Sequence, residues 1–107
     1  MKYVIDIDGT ICSTEEDGDY TKAFPFMGRI NQINKLYDQG DEIIYYTARG
    51  MGRGGDNTDL ARNEFYMITH MQLHAWGAKF HGLILGKPSG DLYIDDKGVN
   101  ADEFFGG

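Results

Sequence analysis

Asp6 and Asp8 stand two apart at the end of the run Tyr3-Val4-Ile5-Asp6-Ile7, and Asp95 and Asp96 stand together after Leu92-Tyr93-Ile94. An extended backbone alternates its side chains, so Asp6 and Asp8 point to one side, about 6.5–7 Å apart. If both apolar runs are strands of one sheet, four carboxylates collect at one rim. Two unit charges about 5 Å apart repel by about 3 kcal/mol at an effective dielectric of about 20. Such a cluster needs a compensating cation or a raised pKa. All-oxygen ligands select a hard ion, and Mg²⁺ with retained waters suits a few carboxylates plus a phosphate. One aspartate at a strand end caps a turn as readily as it binds anything. Two such pairs at two strand ends are much harder to assign to turn capping.

The elements that must position these acids are legible from periodicity. Tyr3 to Ile7 reads as a buried strand. Phe26, Ile30, Ile33 and Tyr37 recur with the period of an amphipathic helix, and Gly40 sits where a helix C-terminal glycine is expected. Glu42 to Tyr46 is β-branched and aromatic, a second strand ending near Thr47 and Arg49. Thr58 or Asp59 caps a long helix running to about Trp76, with Ala61, Phe65, Ile68 and Ala75 on its inner stripe. Gly82 to Leu85 and Leu92 to Ile94 are short apolar stretches, the first followed by Gly86-Lys87. Asn100 with Glu103 starts a last helical turn carrying Phe104 and Phe105. The order β-α-β-α-β-β predicts a mostly parallel α/β sheet, whose ligands bind beyond the carboxyl ends of the strands. Only 86–90 connect the last two apolar stretches, whereas a parallel crossover needs a dozen residues. Residues 82–85 are therefore expected as a short extended arm rather than a full strand.

Asp6-Ile7-Asp8-Gly9-Thr10 after a short N-terminal strand resembles the first signature of the haloacid dehalogenase superfamily. Thr47, Lys87 and Asp95-Asp96 resemble the second, third and fourth, in the family's order, over nearly the whole chain. The stretch from Gly86-Lys87-Pro88 to Asp95-Asp96-Lys97 is similar to small, capless phosphatases of that superfamily, some of them associated with surface-sugar metabolism. The resemblance implies a three-layer Rossmann-like core with a mostly parallel sheet and no cap domain. Asp6 would be the nucleophile, forming an aspartyl-phosphate. Asp8 would be general acid to the leaving oxygen and then base for water. Thr47 would bond a phosphoryl oxygen, and Lys87 would balance charge on Asp6 and the phosphoryl group. Mg²⁺ would be held by the Asp6 side chain, the Asp8 carbonyl and Asp95 with help from Asp96. Gly9 lets the backbone turn past the nucleophile.

Other residues have blander readings beside the functional ones. Thr47 alone suits a strand interior and Lys87 alone a solvated surface. Arg49 and Arg53 suit either loop surface or the substrate's phosphate. The acids from Glu15 to Asp19 suit a solvated flap, and the segment 10–25 is long enough for a flap only, which leaves the site open. His70 and His74 lack a third ligand. Met67, Met71 and Trp76 are expected to pack. Gly50 to Gly55 matches G-x-G-x-x-G, but no acid closes a following strand, so dinucleotide binding is rejected. Gly86-Lys87 is no nucleotide phosphate loop, with His81 where glycine is required.

The 107 residues suit one domain, 1–107, and the net charge of −7 opposes binding to long nucleic acid or to an anionic membrane. No apolar run reaches the ~20 residues of a membrane span, and no signal peptide is expected, since Met1-Lys2 leads into a run holding two aspartates. One cysteine, Cys12, fits a reducing, cytoplasmic setting. Phe24, Phe26, Phe104 and Phe105 suit a core or a homo-oligomer interface. The sequence thus predicts a Mg²⁺-dependent phosphatase of a small phosphorylated metabolite, with a sugar phosphate leading. Two alternatives are a nucleotide or nucleic-acid-end phosphatase and a non-enzymatic phospho-acceptor module.

Overall fold

The computed structural model describes residues 1–15, 19–51 and 58–106, with the backbone alone over 58–62. Among these, strand β1 (Lys2–Asp6) leads to a single 3₁₀ turn (Tyr20–Lys22) and helix α1 (Met27–Asp38). Strand β2 (Glu42–Thr47), helix α2 (Thr58–Ala75), strand β3 (Gly82–Leu85) and the short helix α3 (Ala101–Phe105) follow. The described residues form one parallel sheet in the order β1-β2-β3. The register sets Asp6 beside Tyr46 and Thr47 beside Leu85, so the strand ends form one rim.

Each element forms for a local reason. α1 buries Ile30 and Ile33, one turn apart on a single stripe. It stops at Gly40, whose φ of +100° suits glycine, while Gly40 N–H and Asp41 N–H donate back to Tyr37 O and Leu36 O. The Asn100 side chain caps α3 by accepting from Asp102 N–H at 2.9 Å. The core joins Ile7, Ile11, Cys12, Ile30, Ile33, Ile43, Tyr45 and Leu73. Two successive right-handed crossovers in one direction along the sheet put α1 and α2 on the same face. The opposite face is poorly covered: Val4 is 60% exposed and Ile84 50%. Among the described residues the architecture is therefore an α/β parallel sheet with helices on one side.

Four expectations are corrected. Residues 82–85 are a full strand, pairing with β2 from Ile44↔Gly82 to Thr47↔Leu85. The stretch 92–94 is not a strand, and Leu92 and Ile94 are 80% and 90% exposed. The conflict over the short connection was real: so short a stretch cannot carry the chain from one parallel strand to another, and β3 is the one that keeps its place. On α2, Ala75 lies outside, and the inner stripe is Phe65, Ile68, Thr69, Gln72 and Leu73, continued by Trp76 just past the helix end. Met67 and Met71 are exposed rather than packed, while Trp76 does pack against the core. The side chain of Ala61, and Arg53 with the glycines of 52–55, lie outside the described residues.

Candidate active site

β1 delivers Asp6 as its last residue, and fully buried Ile7 anchors the chain immediately after it. The backbone then reverses tightly. Thr10 N–H and Ile11 N–H both donate to Ile7 O, and Gly9 N–H donates to Cys12 O at 2.9 Å. Gly9 has a φ of +82°, and a Cβ there would lie 3.1 Å from Thr14 Oγ1. The turn thus needs glycine on two counts.

Asp6 lies within reach of a cation. Lys87 Nζ is 3.5 Å from Asp6 Oδ1, and Thr10 Oγ1 donates to Asp6 Oδ2 at 3.4 Å. Burial raises the Asp6 carboxyl above the ordinary aspartate value; Lys87 and the backbone at Ile7 pull it back only in part. Lys87 follows β3, and its N–H donates to Thr47 O at 3.1 Å, which ties it to the end of β2. Its ammonium also lies 4.1 Å from the centre of the Tyr93 ring. Thr47 is fully buried at the end of β2, and its Oγ1 accepts from Arg49 N–H at 3.1 Å.

Asp8 meets a different cation. Arg49 Nε donates to Asp8 Oδ2 and Nη2 to Asp8 Oδ1, each at 2.9 Å, a fork on a carboxylate. Arg49 has no exposed side-chain surface. Its Nη1 donates to Thr69 Oγ1 at 3.2 Å and to Gln72 Oε1, both on α2. The Tyr20 ring lies 4.7 Å from the guanidinium carbon, and Gln72 Nε2 donates to Tyr20 O. Arg49, expected to face substrate, is instead a buried partner of Asp8. Tyr20, Thr69 and Gln72 were missed by sequence reasoning. One signal was present: Thr69 and Gln72 are polar residues on the stripe that also carries Leu73. Cys12 lies in the same cluster, its Sγ 3.6 Å from Asp8 Oδ1, and burial together with Asp8 pushes its thiol up to about 12.

The structure therefore brings together Asp6, Asp8, Gly9, Thr47, Arg49 and Lys87. It does not bring Asp95 and Asp96 to them. Both are exposed, and Asp95 Oδ1 accepts from Lys97 N–H and Gly98 N–H in a turn of its own. Among the described residues no group of three His, Cys, Asp or Glu side chains is gathered to hold a metal ion. With Asp8 spent on Arg49 and Asp95 turned on itself, the side chains as arranged do not fit a divalent ion. What they do offer is a half-buried carboxylate beside an ammonium, next to a second carboxylate fixed in orientation. That pairing suits attack on an electrophile that carries negative charge.

No family profile and no curated protein matches the chain. Among solved structures, the chain is similar to the crystal structure of a structural-genomics target from Vibrio cholerae. The two share 28% identity at a TM-score of 0.86, over 97% of this chain and 86% of the other. That likeness agrees with the α/β fold and its parallel sheet; the target's name states no activity. No helix among the described residues is long and apolar enough to cross a membrane.

Proposed function

We propose that the chain is a phosphatase that hydrolyses the phosphomonoester of a small metabolite, with a sugar phosphate as the leading substrate. The observation that carries this reading is the contact of Lys87 Nζ with Asp6 Oδ1, 3.5 Å, beside Asp8 at the carboxyl ends of parallel strands. An Asp6 oxygen attacks phosphorus, and the bond from phosphorus to the alcohol oxygen breaks. Asp8, which enters the cycle protonated and regains its proton in the second step, gives that oxygen its proton. Asp8 then takes a proton from water as the water attacks the aspartyl-phosphate, releasing phosphate and restoring Asp6. Lys87 balances charge on the phosphoryl group, and Gly9 lets the backbone turn past the nucleophile. Thr47, fully buried, fixes the end of β2 and the Arg49 backbone that follows it.

A Mg²⁺ requirement and the fuller three-layer, haloacid-dehalogenase-like core belong to the same proposal. Both depend on the segment 92–96 lying along the outer edge of β1. Exposed Leu92 and Ile94 on one side and exposed Val4 on the other supply apolar surface for that contact. No catalytic step is assigned to the ion. The single free thiol, Cys12, suits a reducing compartment.

Hydrolysis of p-nitrophenyl phosphate, with and without Mg²⁺ and EDTA, tests the reading. Turnover that EDTA abolishes and that Asp6→Asn lacks supports it. Retention of phosphate from acetyl phosphate for minutes without turnover would replace it with a phospho-acceptor module. A panel of sugar phosphates, nucleotides and 3′-phosphorylated oligonucleotides decides the substrate class, and preference for the oligonucleotides overturns the sugar-phosphate choice.

A further inference from the structure

Arg49 is the largest piece of chemistry near the site to which the phosphatase reading gives no work. An arginine offers five N–H donors in a planar fork. Here Nε and one Nη2 hydrogen serve Asp8, both Nη1 hydrogens serve Thr69 and Gln72, and Nη2 also lies 3.9 Å from Cys12 Sγ. One face of the fork is stacked on Tyr20. A guanidinium held in this way has no free edge for a phosphate.

We propose that Arg49 is a positioning residue that aims Asp8, and that Gln72 and Tyr20 set its aim. The inference rests on Asp8 being the acid and base of the phosphatase reading, and it deepens that reading. An aspartate carboxylate turns about two side-chain bonds, so a single contact leaves it free to swing. Two parallel bonds to one rigid plane fix both its position and its tilt. That plane is fixed in turn from two independent directions. Thr69 and Gln72 hold it from α2, and Tyr20 holds it from the segment that follows β1. Gln72 closes the circle, since it accepts from Arg49 and donates to Tyr20 O. Tyr20 also meets Phe65 of α2 edge-on, with ring centres 5.4 Å apart. The 3₁₀ turn Tyr20–Lys22 is thereby coupled to Asp8 through Arg49 and Gln72. A group that must hand a proton to one oxygen and take it from another depends steeply on position, since a misplacement of about 1 Å costs about 100-fold in rate.

The experiment pairs kinetics with a measurement that needs no activity. In ¹⁵N NMR of the full chain, the Arg49 Nε–H is expected to exchange slowly with water, and Asp8→Asn to speed that exchange. On p-nitrophenyl phosphate, Gln72→Leu and Tyr20→Leu are expected to lower kcat about tenfold with KM within about twofold of the wild type, as for loss of aim rather than of binding. Arg49→Lys, which keeps the charge and loses the fork, is expected to lose at least as much kcat with KM equally unmoved. A rise in KM at constant kcat would overturn the proposal and return Arg49 to substrate binding. Equal kcat in all three variants and the wild type would overturn it too. An inactive wild type would refute the phosphatase reading, while the NMR arm still decides this one: exchange of Arg49 Nε–H as fast as in the unfolded chain refutes the aim on Asp8.

Discussion

Asp6 and Asp8 leave β1 into a loop whose Ile7, Ile11 and Cys12 are fully buried, whereas Asp95 and Asp96 sit in the stretch 91–100, in which every residue is exposed. The two acid pairs look alike on paper, each following a short apolar run. The first run pairs with β2 along five residues and buries its neighbours under α1 and α2. The second run follows β3 after only six residues and has no partner strand among the described residues. What separates them is not the acids but whether the preceding apolar residues find a surface to cover. Burial then sets the chemistry: Asp6 acquires Lys87 and a raised pKa, Asp8 acquires a fixed arginine, and Asp95 turns onto its own backbone.

The largest effect that would break this contrast is on activity. If 92–96 joins the edge of β1 in the working enzyme, Asp95→Asn with Asp96→Asn lowers turnover of p-nitrophenyl phosphate about as far as Asp6→Asn does, by about 1,000-fold or more. If the two regions stay apart, the double variant keeps wild-type turnover while Asp6→Asn does not. A single assay of both variants with Mg²⁺ separates the outcomes.

How much of this was legible follows the same division. The strand ending at Asp6, the helix on Ile30 and Ile33 and the stop at Gly40 were readable, because each is written in local periodicity or a glycine, whereas 82–85, expected as an arm, pairs as a strand. The meeting of Asp6 with Lys87, expected on resemblance, is seen as a 3.5 Å contact. The partner of Asp8 was not legible. Arg49 lies 41 residues away, and nothing local marks its side chain as buried. The stripe residues Thr69 and Gln72 showed only that something polar had to be met inside. The fate of 92–94 was misread because a strand needs a neighbour, and propensity carries no information about the length of the connection to it.

A smaller effect concerns folding, and it sharpens the contrast. Arg49→Ala leaves the Asp8 carboxylate without its partner in a mostly enclosed site, which is expected to cost about 3 kcal/mol of stability. Asp95→Asn, on an exposed turn, is expected to change stability by less than about 0.5 kcal/mol. Urea denaturation of both variants checks the pair, and equal costs would mean that burial does not distinguish the regions. Gly9→Ala comes next, at about 1–2 kcal/mol, because alanine at a φ of +82° is strained and its Cβ crowds Thr14 Oγ1. The same denaturation curve measures it.

The smallest expected effect has the opposite sign. Asp6 ionises with an ordinary value of 3.8 when the chain is unfolded, and burial raises that value in the fold despite Lys87. The native state therefore binds this proton more tightly than the unfolded state does. The group favours folding below its unfolded pKa, and that contribution is lost as pH rises through the raised native value. At neutral pH the buried charge is a net cost, and Asp6→Asn removes it. The variant is expected to melt slightly above the wild type at pH 7, with the gap closing as the pH falls below the unfolded value of 3.8, where the wild-type side chain is neutral in both states. Removing Asp6 also deprives Lys87 of its partner, so the sign of the shift measures which dominates. A lower melting temperature at pH 7 would mean that the 3.5 Å ion pair outweighs desolvation, and that the nucleophile is held in place by its cation rather than against the cost of its burial.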